Sequence, residues 1–521
     1  MIQNLQLRLL PAEAADAGQV KKAIAKALQT TEKNISGFRI LKHSIDARGK
    51  QPRINLSVEV FNGETFRERT PMSFDFRSVQ HSRKRVIIIG AGPAGLFAAL
   101  KLLEAGIKPI IVERGKDVKS RRRDLAILNK EGVVNPDSNY CFGEGGAGTY
   151  SDGKLYTRSS KRGDIKRILE LFVKFGAPEH ILYEAHPHIG TNKLPHIITA
   201  MRELILGYGG EIHFEQKVVD LELANDKVSA VILQGGGKME ADAFILATGH
   251  SARDIFELLQ RKKIQIEFKP FALGVRVEHP QALIDEIQYH CPIRDPFLPP
   301  AAYSWVEQVQ GRGVFSFCMC PGGIIAPAST SPGELVVNGW SPSKRNNPYA
   351  NSGIVVAMEE KDCRSFAKFG ALAGMHFQQM VEKQSFDAGG GKFVAPAQRL
   401  TDFVEGKPSS ALPGCSYLPG LNATSLHGVL PGFIEKSLQG AFLAAGKKMK
   451  GYMSREAVVV ATESRSSSPV RIPRDPLLFS HPQYVNLYPC AEGAGYAGGI
   501  VSAAMDGENC AMHAALALLS S

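Results

Sequence analysis

Residues 85–100, RVIIIGAGPAGLFAAL, constrain the fold more than any other part of the chain. A β-branched apolar stretch leads into a turn that contains Gly90, Gly92 and Gly95, and the residues after the turn have a helical pattern. The next segment, PIIVERG, predicts a second strand that ends at Glu113, twenty-three positions after Gly90. This succession of strand, glycine turn, helix and acid-terminated strand is typical of a dinucleotide-binding Rossmann unit.

Each position of this unit has a chemical reason. Gly90 permits the tight turn, Gly92 lets the backbone approach a pyrophosphate, and Gly95 lets the helix pack against the sheet. The start of the helix directs unpaired N–H groups at the phosphates, and Glu113 can accept hydrogen bonds from an adenosine ribose. The residues expected to contact the dinucleotide here are Gly90, Gly92, Pro93, Ala94, Gly95, Glu113 and Arg114.

Length and composition limit the class of protein. A chain of 521 residues predicts two or three domains, and its eight dispersed cysteines indicate reduced thiols rather than a disulfide framework. We expect no secretory signal, because Arg8 and Pro11 interrupt the first apolar stretch. We expect no membrane span either, because glycines break the longest apolar run. The expected location is the cytoplasm.

The net charge of +11 is concentrated near the start of the chain. Residues 1–86 contain sixteen Lys or Arg against eight Asp or Glu. This excess is compatible with a polyanionic partner, such as RNA or an acidic protein, or with a basic solvated surface that attracts an anionic substrate. Because no nucleic-acid motif accompanies the charge, we favour the second interpretation and do not expect nucleic acid as a partner.

The pattern predicts an α/β protein with four segments. Residues 1–80 form a small basic α+β domain, and residues 81–264 form the first part of a Rossmann-like domain with a central parallel sheet and a β-meander. Residues 265–455 form an inserted mixed α+β substrate domain, and residues 456–521 return to the Rossmann-like domain. In the second segment, a buried strand ends at small residues that permit close approach to the cofactor. The contacts expected in that segment are Val218, Ala247, Thr248 and Gly249.

Two further glycine-rich segments complete the predicted site. The loop FGEGGAGTYSDGKLYTR, residues 142–158, can surround phosphate or lie under a planar ring, and it lacks the spacing of an ATPase P-loop. Near the end of the chain, LYPCAEG and AGYAGG predict a strand, a turn and a helix start, with a carboxylate suited to a polyol such as ribityl. The contacts expected here are Gly146, Gly148, Thr149, Ser151, Asp152, Glu492, Gly498, Gly499 and Ile500.

Together, these segments resemble FAD-binding oxidoreductases of the glutathione-reductase and phenol-hydroxylase kind. More closely, GGAGTYSDGKL, FSFCMCPGG, ESRSSSPVRI and PCAEGAGYAGG are similar to a bacterial family of uncharacterised FAD-dependent dehydrogenases. The resemblance implies noncovalent FAD, with its pyrophosphate at Gly90, its adenosine ribose at Glu113 and its ribityl chain at Glu492. Two departures are visible, since the wider superfamily usually has Asp in place of Glu492 and the closer family tends to have Gly in place of Ala491.

Arginine and histidine residues are the first candidates for catalysis. Arg465 and Arg471 lie in ESRSSSPVRI, where a guanidinium could stabilise a reduced flavin or bind a substrate carboxylate, and we favour Arg471. His186 and His188 lie on one face if their segment is extended. Of these two we retain His188 as an acid–base candidate.

Cys318 and Cys320 form a C-x-C pair in FSFCMCPGG. Strand geometry would place both side chains on one face, where they could relay electrons, bind metal or simply pack beside the flavin. We favour packing over the other two roles and predict no metal, because no further CxxC or nearby histidine pair supplies zinc ligands. Both cysteines nevertheless remain candidates for a catalytic role.

The sequence therefore predicts an FAD-dependent dehydrogenase or reductase that transfers hydride between flavin N5 and a small organic substrate. NADH or NADPH could reduce the flavin transiently, although no second Rossmann fingerprint is present. One alternative is a flavin monooxygenase or oxidase. Another is an FAD-containing binding protein that its N-terminal domain recruits to a polyanionic partner.

Overall fold

A computed structural model describes residues 1–157 and 163–520 of the chain. The N-terminal unit consists of β1 (Ile2–Leu9), α1 (Pro11–Ala15), α2 (Ala17–Ala27), β2 (Ile35–Asp46) and β3 (Arg53–Asn62). Its strands form an antiparallel sheet in the order β1-β3-β2. Alternate side chains of β3 are buried, as its alternating sequence predicts, and they share one apolar cluster with α2 and with strands of the third segment. The unit is therefore packed onto the rest of the protein.

Part of the positive charge of this region is matched by acidic side chains. Arg48 contacts Asp46 at 2.9 Å, and Arg69 contacts Glu170 of the second segment at 2.7 Å. Such pairs reduce the field available to a polyanion without removing the charge excess. The basic solvated surface stays the favoured interpretation of the charge, and a polyanionic partner stays the alternative.

The second segment contains most of a Rossmann-type domain. Its elements are β4 (Arg85–Ile89), α3 (Pro93–Glu104), β5 (Lys108–Val112), α4 (Val118–Glu131), α5 (Ile165–Lys174), α6 (Leu194–Gly207), β6 (Glu211–His213), β7 (Val218–Ala224), β8 (Lys227–Leu233), β9 (Lys238–Glu240), β10 (Ala243–Leu246) and α7 (Arg253–Arg261). Strands β7, β8 and β9 form the predicted antiparallel meander. The last residue of the predicted loop 142–158, Arg158, lies outside the described residues.

The third segment forms a cap around a seven-stranded sheet. Its elements are β11 (Glu267–Phe268), β12 (Phe271–Pro280), α8 (Gln281–Tyr289), β13 (Val306–Val309), β14 (Arg312–Cys320), β15 (Ile324–Pro327), β16 (Val337–Trp340), β17 (Tyr349–Met358), α9 (Ala373–Gly389), β18 (Ala395–Arg399), α10 (Leu400–Glu405), β19 (Leu421–Ala423), α11 (Gly432–Lys448), β20 (Val458–Glu463) and β21 (Val470–Arg471). The sheet order is β13-β14-β17-β12-β20-β18-β19. We expected the chain to return to the Rossmann-like domain at residue 456, but β20 pairs with β12 and β18 inside the cap. This difference arises because β20 is buried along its whole length, which suits a central strand of either sheet.

The chain then returns to the Rossmann-type domain with β22 (Leu487–Pro489) and α12 (Ile500–Leu519). The central sheet has the order β22-β10-β4-β5-β6, and all its neighbouring strands are parallel. Helix α12 packs closely on α3, since a Cβ on Gly507 would overlap the carbonyl oxygen of Ala94. The predicted α/β fold class is confirmed. In residues 1–157 and 163–520, no helix is both long and apolar enough to cross a bilayer.

Candidate cofactor site

A deep cleft opens at the carboxyl ends of β4, β5 and β10, between the Rossmann-type domain and the cap. Parallel α/β sheets bind ligands at this edge, where connections leave in opposite directions. All the glycine-rich segments singled out in the sequence contribute to the wall of the cleft. The predicted residues that line it are Gly90, Gly92, Pro93, Ala94, Glu113, Arg114, Gly146, Gly148, Ser151, Asp152, Val218, Ala247, Thr248, Gly249, Glu492, Gly499 and Ile500.

The three glycines of the first turn have three different roles. Gly90 has φ +110°, and a Cβ there would lie 2.5 Å from the carbonyl oxygen of Ala247. Gly95 does not line the cleft, because it faces the strand, where a Cβ would overlap the carbonyl oxygen of Gly90. At Gly92 the nearest heavy atom to a Cβ is 3.9 Å away, so the space beside it belongs to the cleft. The fold therefore requires glycine at Gly90 and Gly95, and the approach of a pyrophosphate to Gly92 stays a prediction.

Glu113 organises the cleft as well as lining it. One carboxylate oxygen accepts a hydrogen bond from the backbone N–H of Ala91 at 2.8 Å. The other accepts from Gly115 at 2.9 Å and Gly143 at 3.0 Å. A carboxylate has about four acceptor positions, so three are occupied and about one is left for a ribose hydroxyl. The sequence suggested the ribose contact but not that Glu113 ties together three loops.

The glycine-rich loop is held from beneath by Arg121. This arginine is fully buried and donates to the carbonyls of Asn139 at 2.8 Å, Tyr140 at 2.9 Å and Glu144 at 2.8 Å. Thr149, which we expected at the cofactor, is buried inside the loop and donates to the Glu144 carbonyl at 2.9 Å. Its hydroxyl therefore folds the loop instead of lining the cleft.

Asp152 joins this loop to the cap. Its carboxylate accepts hydrogen bonds from the hydroxyl of Ser341 and from Arg345, whose Nη2 lies 2.5 Å away. Burial alone would raise the pKa of Asp152, but Arg345 and Lys154 outweigh burial and hold it below its ordinary value. Lys154 also lines the cleft and donates to the carbonyl of Met319 in the cap. The cap therefore fixes both charged side chains at the cleft.

The C-terminal segment adds an acid and a helix start. Nδ1 of His250 lies 3.4 Å from Oε1 of Glu492, and both residues line the cleft. The turn after β22 places Ala491 at φ +59°, a conformation that favours glycine and explains why glycine suits this position. Gly499 is the N-cap of α12 and lines the cleft. Gly498 is exposed and does not line it, and a Cβ there would lie 3.5 Å from Oε1 of Glu492.

Two buried hydroxyls test whether the cleft suits a ligand with polar groups. The side-chain oxygens of Thr248 and Ser251 are buried, line the cleft and have no hydrogen-bond partner within the described residues. Buried polar atoms are normally paired, so both atoms are suited to a bound polar molecule. Beside them, a Cβ on Gly249 would meet no heavy atom within 4 Å. A dinucleotide, with its hydroxyls and phosphates, fits these groups.

Arg465 has a different environment from the one expected of a substrate ligand. It is 6% exposed and contacts Glu382 at 2.9 Å, Thr330 at 2.6 Å and Glu334 at 3.3 Å. Arg253 of α7 shares Glu382 at 2.8 Å. Burial would raise the pKa of Glu382, but the two guanidinium groups lower it overall. This buried charge network joins the Rossmann-type domain to the cap and does not line the cleft.

The other catalytic candidates are divided between the cleft and its surroundings. Arg471 is exposed and lies over the ring of Tyr496, 5.4 Å from its centroid. His188 contacts the carbonyl of Ser343 at 3.2 Å, and burial and Arg345 lower its pKa to about 4. Neither lines the cleft, and a neutral His188 that is bound to a carbonyl is suited to holding the cap in place.

Of the C-x-C pair, Cys318 lines the cleft and Cys320 is buried behind it. The predicted regular strand is interrupted here, because the pairing of β14 with β17 shifts between Phe317 and Cys320 and Cys318 has φ +47°. A bulge of this kind re-aims side chains next to a site.

One group of potential metal ligands occurs in the described part of the chain. The atoms of Cys490, Asp506 and Cys510 lie within 4.8 Å of one another. Arg474 already binds Asp506 at 2.7 Å and lies 3.4 Å from the sulfur of Cys510. A guanidinium therefore supplies the positive charge at this position, and Asp506 uses its other oxygen to hold the backbone N–H of Ala491 at 2.7 Å.

Sequence reasoning missed several side chains of the cleft. His250 and Ser251 directly follow the small residues Ala247–Gly249. Their position just after that strand could have indicated that they line the cleft. Lys154 lies in a loop that we interpreted through its glycines and hydroxyls. The remaining lining residues were not named individually, although Phe142, Ala147 and Gly153 belong to the glycine-rich loop 142–158 and Ala491 belongs to the C-terminal segment. These additional lining residues are Ile89, Val112, Cys141, Phe142, Ala147, Gly153, Gln216, Ile255, Ala491 and Ala503.

Comparison with known proteins agrees with this architecture. Residues 84–258 match the family model of the pyridine nucleotide-disulphide oxidoreductases, and residues 270–466 match the FAD-dependent protein, C-terminal domain-like family. Residues 1–61 match a domain of unknown function.

A Clostridium beijerinckii protein of uncharacterised function is 38% identical over 530 residues, covering 98% of each chain. A thiamine thiazole synthase of Aeropyrum pernix is 27% identical over 201 residues, or 36% of this chain and 62% of that protein. The structure of 2,6-dihydroxypyridine-3-hydroxylase from Arthrobacter nicotinovorans is 11% identical, covers 84% of this chain and 85% of that chain, and has a TM-score of 0.38. That last similarity carries no argument about activity. The chain belongs to the same family as the Clostridium relative, and the match to the FAD-dependent family supports FAD as its cofactor.

Proposed function

We propose that this protein is a dehydrogenase or reductase that transfers hydride between flavin N5 and a small organic substrate. The observation that supports this most is the group of side chains where the cleft meets the cap. There, Lys154 lies beside Cys318, and the cleft also contains the His250–Glu492 pair. Bound FAD supplies the redox chemistry by exchanging a hydride at N5, and the protein supplies position, charge and protons.

Lys154 is suited to stabilising negative charge in the reduced state. The Met319 carbonyl accepts a hydrogen bond from its ammonium group, so the cap fixes its position. We expect Lys154→Met to slow substrate reduction of the flavin by about tenfold or more, since a fixed charge at a half-buried site contributes about 1–2 kcal/mol. Lys119→Met, on α4 and outside the cleft, is the matched control and should leave the rate unchanged.

His250 is suited to moving a proton during substrate oxidation. It is the histidine of the described residues that lines the cleft, and Glu492 orients its ring through Nδ1. General acid–base catalysis typically contributes about 10²–10⁴ in rate. We expect His250→Asn to lower the rate of flavin reduction by about that factor while the protein retains FAD.

The test begins with purified, yellow holoprotein under anaerobic conditions. NADH, NADPH and a panel of small metabolites are each added, and loss of the oxidised flavin absorption is followed. Reduction by one of these compounds, followed by reoxidation in air over minutes, supports the proposal. Reoxidation within seconds, with oxygen incorporated into the product or released as peroxide, would show a monooxygenase or oxidase instead.

A further inference from the structure

The C-x-C segment of β14 is not a regular extended strand. Residues two apart on an extended strand are separated by about 6.8 Å between Cα atoms, the upper end of the range that a disulfide spans. The bulge at Cys318, with φ +47° and a register shift before Cys320, departs from that extended spacing. The Cys320 thiol lies 3.3 Å from the carbonyl oxygen of Cys318.

The surroundings of the two sulfurs are unequal. Cys318 lines the cleft beside Lys154, whereas Cys320 has no exposed surface. The Arg276 guanidinium lies 2.7 Å from the carbonyl oxygen of Cys318 and 3.5 Å from the sulfur of Cys320, and Glu463 balances its charge at 2.7 Å. Interaction with the Cys320 thiol, together with the charges of Lys154 and Arg276, lowers the pKa of Cys318 despite burial. The sulfur at the cleft is therefore the nucleophilic one.

Other cysteines lack this combination. Cys141 also lines the cleft, but its thiol faces the carbonyl of Ala328 at 3.8 Å. Burial raises the pKa of Cys363 to about 12, and Cys490 is buried against Cys510 with its pKa raised by their hydrogen bond. These thiols are suited to packing rather than to exchange.

We propose that Cys318 and Cys320 form a reversible disulfide that exchanges an electron pair with the bound flavin. Oxidation joins the two sulfurs in one S–S bond, passes two electrons to oxidised flavin, and transfers the protons of the thiols to the flavin and solvent. The reverse step uses two electrons of reduced flavin to break the S–S bond and returns both protons to the sulfurs. The inference rests on the proposed function and adds to it that the flavin ring lies beside Cys318, which lines the cleft. Both cysteines lie outside residues 84–258, which match the disulphide oxidoreductase model.

An anaerobic titration of the holoprotein with dithionite tests the stored electron pair. Starting from air-oxidised protein, we expect four electrons per FAD in the unmodified chain and two in Cys320→Ser. Cys291→Ser removes a half-buried cysteine outside the cleft and should still require four. Uptake of two electrons by the unmodified holoprotein would overturn the inference, whatever the variants do.

Alkylation followed by peptide mass spectrometry gives a readout independent of the flavin. The peptide with Cys318 and Cys320 should carry no alkyl group in air-oxidised holoprotein and two after reduction. In apoprotein treated with diamide, the same peptide should lose two hydrogens, and persistent double alkylation there would also overturn the inference. If a metabolite reduces the flavin in Cys320→Ser as fast as in the unmodified chain while both thiols stay reduced throughout, the proposed function holds and the disulfide does not.

Discussion

Replacing Gly92 by valine should weaken FAD binding without destabilising the fold. Gly92 has φ −72° and ψ −177°, which is extended backbone open to any residue. The nearest heavy atom to a Cβ would be the Cα of Gly146 at 3.9 Å. We therefore expect the free energy of unfolding of the apoprotein to change by less than about 1 kcal/mol.

The effect on FAD should be much larger. The valine side chain would fill the cleft at the start of α3, where we expect backbone N–H groups to bind the pyrophosphate. Losing two hydrogen bonds to a charged group costs about 1.5–3 kcal/mol each, or about 3–6 kcal/mol together. The Kd for FAD should therefore rise by roughly two to four orders of magnitude.

The assay is a fluorescence titration of apoprotein with FAD, together with urea unfolding of the same apoprotein. Gly95→Ala is the matched control, because its Cβ would overlap the carbonyl oxygen of Gly90 and should destabilise the fold itself. A Kd for Gly92→Val within tenfold of the unmodified value would refute the reasoning. So would a loss of apoprotein stability as large as that of Gly95→Ala.

Three further predictions concern how buried residues contribute to the free energy of unfolding. Ala491→Gly should raise the free energy of unfolding by about 0.5–1 kcal/mol in urea titrations, because relief of φ +59° outweighs the added chain entropy; a decrease would contradict this. Glu382→Gln should lower it by about 3–5 kcal/mol, since two buried arginines lose their shared carboxylate, and an unchanged midpoint would count against the network. Burial lowers the pKa of His279 from 6.5 to about 4, so stability should fall as pH drops through that window, where only the unfolded chain gains the proton. His279→Gln should remove up to about 3 kcal/mol of this dependence, and an unaltered pH profile of unfolding would exclude His279 as its source.

The sequence predicted well what is encoded by neighbouring residues. The pattern around Gly90 gave the strand, turn and helix, because a tight turn and close helix packing restrict those positions to glycine. The alternation of apolar and polar residues predicted β3. The small residues Ala247–Gly249 predicted the end of the buried strand that precedes them. The FAD cofactor followed from motifs that lie far apart in the chain but match one family together.

Other features depend on which distant segments meet. The position of Glu113 at the end of a strand predicted a contact with an adenosine ribose. Its three backbone hydrogen-bond donors, however, come from three different loops. A buried apolar strand such as β20 carries no mark of its partner, so only packing decided that it joins the cap sheet.

By itself, the sequence determined the Rossmann-type unit, the presence of a second domain and the set of glycine-rich segments that line the cleft. Only the tertiary structure decided that His250 meets Glu492, that Arg465 is enclosed by carboxylates, and that Cys318 faces the cleft while Cys320 lies behind it. The physical reason is that local conformation follows from side-chain sterics and periodicity within a few residues. The pairing of charges and thiols follows from how whole elements pack, which those residues do not encode alone.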